Sequence, residues 1–294
     1  MSMPADAAAP SALSPRAALA GLLKGYSTEV TARDRKGIEA APELMPKGAE
    51  IFVAAIPGEE PDRIIAAAVQ LSRTGLKVMP HIVARNIPGR AALDDMLSRL
   101  AGEAGVDRAH VVGGDRDKPE GEYDASLQLL QTGLFQKHGV NTVTIACYPE
   151  GHPRISDAVL AQALKDKLKV CADGGLAVSL VSQFAFDAEP IVGLARRLRA
   201  EGITAGLRAG VVGPADRTAL IKFGLMCGVG ASLRALKERH ELTKSVMSGE
   251  TPEALLTSIA QARNAEPSLG ITGVHFFTFG SLARSTRFVD EHML

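Results

Sequence analysis

The chain has 294 residues, and its 33 basic and 33 acidic side chains cancel, so no overall field recruits nucleic acid or an acidic membrane surface. A hydrophobic content of 46% supports a full core, yet no run approaches the roughly 20 uninterrupted apolar residues that a membrane span needs. The length suits one large domain, a size at which α/β barrels commonly occur as single units.

Residues 1–15 are rich in Ala, Ser and Pro and lack the basic start and apolar centre of a signal peptide. They read as a disordered leader ahead of a single domain over 16–294. From there, short β-branched runs alternate with longer amphipathic stretches. Strands are expected at 26–31, 51–56, 77–83, 109–113, 142–147, 177–184, 204–212 and 273–279. Helical periodicity lies between them, at 62–73, 91–104, 125–137, 156–169, 191–200 and 252–264. Pro61-Asp62 and Thr251-Pro252-Glu253 supply helix-start chemistry. The interval between the last two strands is long enough to need extra helices, at 216–226 and 232–244, and these would wall one side of the site. Eight βα repeats with buried strands point to a closed (β/α)8 TIM barrel, with an open doubly wound sheet as the alternative.

Cys147, Cys171 and Cys227 are far apart and in apolar company. Three such residues fit buried thiols in a reducing cytoplasm better than disulfides or a metal site. No histidine pair has helical ligand spacing and none sits beside a cysteine in a zinc pattern, so no metal is expected. Neither a GxGxxG after a strand nor a Walker loop is present.

In a barrel, polar residues at the carboxyl ends of strands are the first suspects for chemistry. Here they are Glu29, His81, Asp115, the loop Tyr148-Pro149-Glu150-Gly151-His152-Pro153, Gln183 and Thr278. The loop is the most informative stretch: two prolines fix its backbone, Gly151 permits close approach, and a phenol, a carboxylate and an imidazole lie between them. Glu29 is a carboxylate within a run otherwise built for a strand. Such a group is costly to bury unless a cleft solvates it or a partner pairs it.

The loop resembles the tyrosine-proline-glutamate-x-histidine-proline signature of methylenetetrahydrofolate reductases. Further matches follow in the family's order. Glu29 falls at the glutamate ending the first strand, and Pro80-His81-Ile82 is similar to proline-histidine-leucine on the third. Gly113-Gly114-Asp115 resembles arginine-glycine-aspartate, and Val181-Ser182-Gln183-Phe184-Ala185-Phe186-Asp187 resembles the glutamine-phenylalanine run of strand six. Val274-His275-Phe276-Phe277-Thr278 is similar to the last strand's motif. Tyr123 and Ala125 match the opening of the helix after Asp115, and Lys165 and Lys167 match lysines of the helix after the loop. The similarity runs from about Gly25 to Leu282.

The resemblance implies FAD as cofactor, NADH or NADPH as cosubstrate, and a folate as substrate. It makes Glu29 the acid that protonates N10 and Asp115 the anion that stabilises the resulting cation. Gln183, Phe184 and Thr278 would meet the folate, with Phe184 or another strand-end aromatic stacking on the pterin. His81, Gly114, Tyr123, Ala125, Tyr148, Glu150, His152, Lys165 and Lys167 would contact the flavin. No nucleic-acid or membrane partner is expected, and assembly into homo-oligomers is left open.

Three departures from the family pattern stand out. Gly113 replaces an arginine that contacts a flavin phosphate. Ala54-Ala55-Ile56-Pro57-Gly58 replaces threonine-tyrosine-glycine at the end of strand two, and Gly280-Ser281 replaces the arginine after the last strand, with Arg284 the nearest basic residue. The first two each remove a hydrogen-bond donor of the kind that holds a phosphate or ring. They keep a flavin-independent folate oxidoreductase in view as the alternative, beside a non-catalytic folate- or flavin-binding paralogue that assists a methyltransferase.

Overall fold

The computed structural model describes residues 13–56, 58–214 and 251–293. Eight parallel strands close into a barrel in chain order. They are β1 (Ser27–Thr31), β2 (Glu50–Ala54), β3 (Lys77–Val83), β4 (Arg108–Val112), β5 (Thr142–Cys147), β6 (Ala177–Ser182), β7 (Leu207–Val212) and β8 (Ile271–Phe277). The closing pair, β1 with β8, sets Ser27 beside His275 and Thr28 beside Phe276. The fold is a (β/α)8 TIM barrel, and the open-sheet alternative is removed by this closure. The expected helices at 216–226 and 232–244, and Cys227 with them, lie outside the described residues, as do residues 1–12.

Helices cover the outer wall: α1 (Pro15–Leu23), α2 (Arg35–Leu44), α3 (Pro61–Ser72), α4 (Arg90–Ala104), α5 (Ser126–Gln131), α6 (Leu134–Lys137), α7 (Asp157–Asp173), α8 (Ala188–Ala200), α9 (Glu253–Ala265) and α10 (Leu282–Met293). Side-chain caps start several of them. Asp34 accepts from Gly37 N–H at 2.9 Å, and Ser14 accepts from Ala17 N–H at 3.3 Å. Two boundaries differ from the sequence reading. α1 begins at Pro15, so the expected leader gives way to helix one residue before its predicted end. The single helix expected over 125–137 is two, because Gly133 takes the left-handed conformation (φ 71°) between them.

Alternation along the strands separates two cores. Ile51, Val53, Val78, Ile82, Val111, Val143, Ile145, Leu180 and Val274 face outward, where they join Leu71, Leu97, Leu100, Ile191 and Ile259 of the helices. The alternate residues fill the barrel. At its amino-terminal end Glu50 bridges Arg108 and Arg208, each at 2.6 Å, which closes the floor. Above them Thr144 donates to Met79 Sδ at 3.1 Å and bonds Ser179 at 2.9 Å.

Candidate functional site

Above that layer, at the centre of the barrel, stands Phe52. Its ring meets three imidazoles from other strands: His275 at 4.3 Å between centroids, His110 at 5.5 Å and His81 at 6.1 Å. His81 and His110 are also in contact, at 4.7 Å. Burial, reinforced by His275, pushes His81 down to about 3, and burial with the same neighbours pushes His110 well below the usual imidazole range. Both rings are therefore neutral at physiological pH. His110 Nδ1 is buried without a hydrogen-bond partner.

Glu29 rises from this tier into the mouth. It follows Ser27 by two residues on β1, so both side chains point into the barrel. Its carboxylate is 12% exposed and lies 3.9 Å from His275 Nε2. The other ring nitrogen, Nδ1, is 2.9 Å from Ser27 Oγ. A serine, a histidine and an acid in sequence invite a hydrolase reading, but Ser27 has no exposed surface and cannot reach a substrate carbonyl.

The structure places Thr278 differently from the expectation that it meets the folate. It is 2% exposed, and its hydroxyl donates to the Glu29 backbone oxygen at 2.8 Å. Phe184 is also displaced from its expected role. It is fully buried, with Phe186, Phe277 and Phe279 around it at 5.3–5.8 Å. The aromatic surface that remains open belongs to Phe186, Phe277 and Phe279, all half-buried. Gln183 sits at the edge of this cluster with its Oε1 accepting from Phe184 N–H at 3.1 Å.

Across the mouth, β4 and β5 supply a second group. Asp115 is exposed, and its charge reaches Tyr148 and His152. Tyr148 and His152 meet edge to face at 5.2 Å. Burial pushes the Tyr148 phenol up to about 12, so it stays a hydrogen-bond donor. His152 Nδ1 accepts from Arg154 N–H at 3.2 Å, which leaves its proton on Nε2, and burial with Arg154 lowers its pKa. Glu150 is half-buried on the same loop. Gly114 needs its left-handed backbone (φ 97°), and a Cβ there would collide with the Val83 side chain.

Several expected flavin contacts are engaged elsewhere. Lys165 pairs with Glu201 at 2.9 Å. Tyr123 is 6% exposed and packs in the outer core, while exposed Ala125 caps α5 with its N–H held by Gln128 at 2.9 Å. Arg85 grips the loop after β4 through the carbonyls of Arg116, Asp117 and Asp124. Arg154 ties the β5 loop to Asp117 at 2.9 Å. Lys167 is half-buried beside Cys147 and Cys171, and desolvation lowers its pKa. Among the described residues, no cluster of three His, Cys, Asp or Glu side chains is arranged to hold a metal, and no helix is long and apolar enough to cross a membrane.

Sequence reasoning missed Ser27, Phe52, His110 and His275 as parts of the site. Their signal was parity: each lies on an inward position of a strand, where a polar or aromatic side chain has no outer core to join.

The family described as methylenetetrahydrofolate reductase matches this chain over residues 36–286. Among solved structures, 2,3-dimethylmalate lyase, a PEP mutase/isocitrate lyase superfamily member, aligns at a TM-score of 0.50 and 11% identity, over 94% of this chain and 84% of that one. Dihydropteroate synthase from Thermus thermophilus aligns at 0.49 and 17% identity, over 90% and 92%. The lyase likeness is one of barrel architecture alone.

Proposed function

The chain belongs to the methylenetetrahydrofolate reductase family, and on that footing we propose that it interconverts 5,10-methylenetetrahydrofolate and 5-methyltetrahydrofolate with NADH or NADPH, through FAD. The observation that carries the reading is Glu29, a nearly buried carboxylate at the barrel mouth whose backbone oxygen accepts from Thr278 and whose carboxylate lies 3.9 Å from His275 Nε2.

The rim between β3 and β5 suits the ring of a flavin: His81 on β3, Gly114 after β4, and Tyr148 and His152 after β5 lie on adjacent elements and offer donors and edges, with Asp115 exposed beside them. The phosphate side is poorer. The space beside Gly113 is open, with nothing within 4 Å of a Cβ built there, and Lys165 is taken by Glu201. Of the two lysines expected to meet the flavin, Lys167 is the one that makes no ion pair among the described residues, and we assign it to a phosphate. A flavin held there supplies the two-electron relay between nicotinamide and folate.

The protein's own groups handle the proton and the pose. Glu29 donates its proton to N10 of the folate, which opens the five-membered ring and leaves an iminium cation at N5. Asp115, on the opposite rim, stabilises that cation electrostatically. Phe277 and Phe186, resting on Phe184, offer a face for the pterin to stack on. Gln183, its carbonyl held by Phe184 N–H, presents its NH2 group to the pterin edge. In the oxidising direction Glu29 takes the proton back.

The test supplies purified protein with FAD, each nicotinamide cofactor and 5,10-methylenetetrahydrofolate, and follows 5-methyltetrahydrofolate by mass spectrometry. No folate-dependent consumption of either nicotinamide would sink the proposal. A second reading, direct hydride passage from nicotinamide to folate without flavin, is favoured by Gly113 and by the Lys165–Glu201 pair. It predicts full turnover from colourless protein.

A further inference from the structure

The loops after β1 and β2 carry a charge arrangement that no step above uses. Glu59, between β2 and α3, has no exposed side-chain surface, and a carboxylate so placed must be paired. It has two cations where one would neutralise it. Arg33, two residues beyond β1, donates from Nε to Oε2 at 3.0 Å and from Nη2 to the Gly58 carbonyl at 3.2 Å. Arg63, in the first turn of α3, brings Nε to 3.3 Å from Oε1, yet that oxygen is buried and makes no hydrogen bond. Both arginine side chains stay in the open, 51% and 59% exposed. Of the flanking acids, Asp34 caps α2 through Gly37 N–H, Asp62 pairs with Arg99 at 2.6 Å, and Glu60 is exposed to solvent. The cluster therefore turns a surplus positive charge outward on the carboxyl-terminal rim of the barrel.

We propose that Arg33 and Arg63, anchored by Glu59, form a subsite for the carboxylates of the folate's glutamate tail. The assignment rests on the folate reading above. N10, the atom that receives the Glu29 proton, also carries the aminobenzoyl arm that ends in the glutamate, so the tail leaves the mouth from Glu29. Register sets Phe52 of β2 beside Glu29. Arg33 follows Glu29 by four residues, no more than about 14 Å along an extended chain. The flavin ring is placed over β3–β5 and the pterin edge at Gln183 after β6. Neither calls on the β1–β2 rim, which is open to the arm.

The chemistry matches in number and in shape. The glutamate ends in two carboxylates, and the rim offers two guanidinium groups, each a planar fork suited to a carboxylate. Glu59 and Gly58 occupy Nε and Nη2 of Arg33, which leaves Nη1 for the ligand. This grip from behind reduces the side-chain freedom that an exposed arginine would otherwise lose on binding. Arg63 is placed by charge but not locked, because Oε1 of Glu59 makes no hydrogen bond. It can turn to the second carboxylate without breaking one.

The test is calorimetric binding of 5-methyltetrahydrofolate and of 5-methyltetrahydropteroate, the same molecule without its glutamate, to the full chain with FAD present. The quantity read is the ratio of the two dissociation constants, because a general loss of fold weakens both ligands alike. Wild type should prefer the tail-bearing ligand, and added salt should shrink the preference. Arg33→Gln and Arg63→Gln should each reduce it by about fivefold, the upper range for an exposed ion pair, and leave the tail-less ligand unchanged. No preference in the wild type, a preference that survives the double variant, or one lost only in Arg284→Gln overturns the assignment. So does weaker NADPH binding at an unchanged ratio, which would put a dinucleotide phosphate on these arginines. A ratio carried by the two arginines in a chain without folate turnover refutes the proposed activity and leaves the subsite standing. Turnover with a ratio near one refutes the subsite alone.

Discussion

Thr278 and Glu29 are 249 positions apart in sequence, yet the threonine hydroxyl donates to the glutamate's backbone oxygen across 2.8 Å. The bond spans the seam where β8 meets β1 and closes the barrel. It fixes the height at which the Glu29 side chain leaves its strand, with His275 Nε2 3.9 Å from the carboxylate. Thr278→Val keeps the shape and removes the donor. The expected cost is about 1 kcal/mol of stability, read as a shift in the urea midpoint, together with a fall in folate turnover at unchanged NAD(P)H affinity. Wild-type turnover in this variant would show that the seam does not position the acid.

Glu29→Gln preserves volume and hydrogen bonding while removing the proton. The variant should fold, bind flavin and oxidise NAD(P)H at close to the normal rate in the flavin half-reaction. Folate turnover should drop by at least about 10²-fold, the lower range for loss of a general acid. Stopped-flow measurement of the two half-reactions separates these effects, and equal loss in both would place Glu29 among the structural residues.

Much of this architecture was legible beforehand, because it rests on local periodicity. All eight strands fall within about three residues of their expected bounds, since buried parallel strands carry unbroken apolar, β-branched runs. The helices that escaped notice were disguised. α2 carries Gly37 and Pro42 within ten residues, and only Ile38 and Ala41 are buried. The inward tier was harder still. Nothing in the strand Arg108–Val112 distinguishes His110 from a rim residue until closure of the barrel sets its ring against His81 and Phe52. Thr278 and Phe184 were assigned to substrate from a resemblance of motifs. Which way a strand-end side chain turns depends on its neighbours across the seam, which a motif does not record.

The neutral histidines predict how the fold responds to acid. In the unfolded chain His81 takes up a proton near pH 6.5, whereas in the barrel it resists until about 3, and His110 is shifted in the same direction. Below pH 6.5 the unfolded state therefore binds more protons. Stability should fall with pH by up to about 1.4 kcal/mol per unit for each such histidine. His110→Phe removes one of them and should flatten the acid limb of urea midpoints measured between pH 7 and pH 5. A limb parallel to that of the wild type would mean that His110 accepts a proton within the barrel.

At the opposite end of the barrel, Glu50 neutralises Arg108 and Arg208, whose side chains are only 16% and 21% exposed. Glu50→Ala leaves both guanidinium groups facing each other, with Asp107 still beside Arg108. Breaking a buried pair from one side typically costs about 3–5 kcal/mol, and partial exposure here puts the expectation at the lower end of that range. The loss should appear in thermal unfolding while leaving the KM for folate unchanged, because the floor and the mouth are at opposite strand ends. A KM that rises with the loss of stability would show that the floor also sets the geometry of the site.

The cofactor gives the sharpest test of what Gly113 means. Replacing an arginine by glycine removes a charge-assisted contact to phosphate, worth about 1.5–3 kcal/mol, or roughly 10- to 150-fold in affinity. Purified protein should then be only partly yellow and gain activity when FAD is added. Nothing lies within 4 Å of a Cβ built at Gly113, so Gly113→Arg starts its side chain in open space. That variant should tighten FAD binding by about the factor lost, measured by quenching of flavin fluorescence. Arg85 cannot substitute for it, because its guanidinium is already bonded to the carbonyls of Arg116, Asp117 and Asp124. If neither the wild type nor Gly113→Arg binds FAD up to high micromolar concentrations, and folate reduction is intact, hydride passes directly from nicotinamide to folate. The open space beside Gly113 then marks a flavin site that this chain has abandoned.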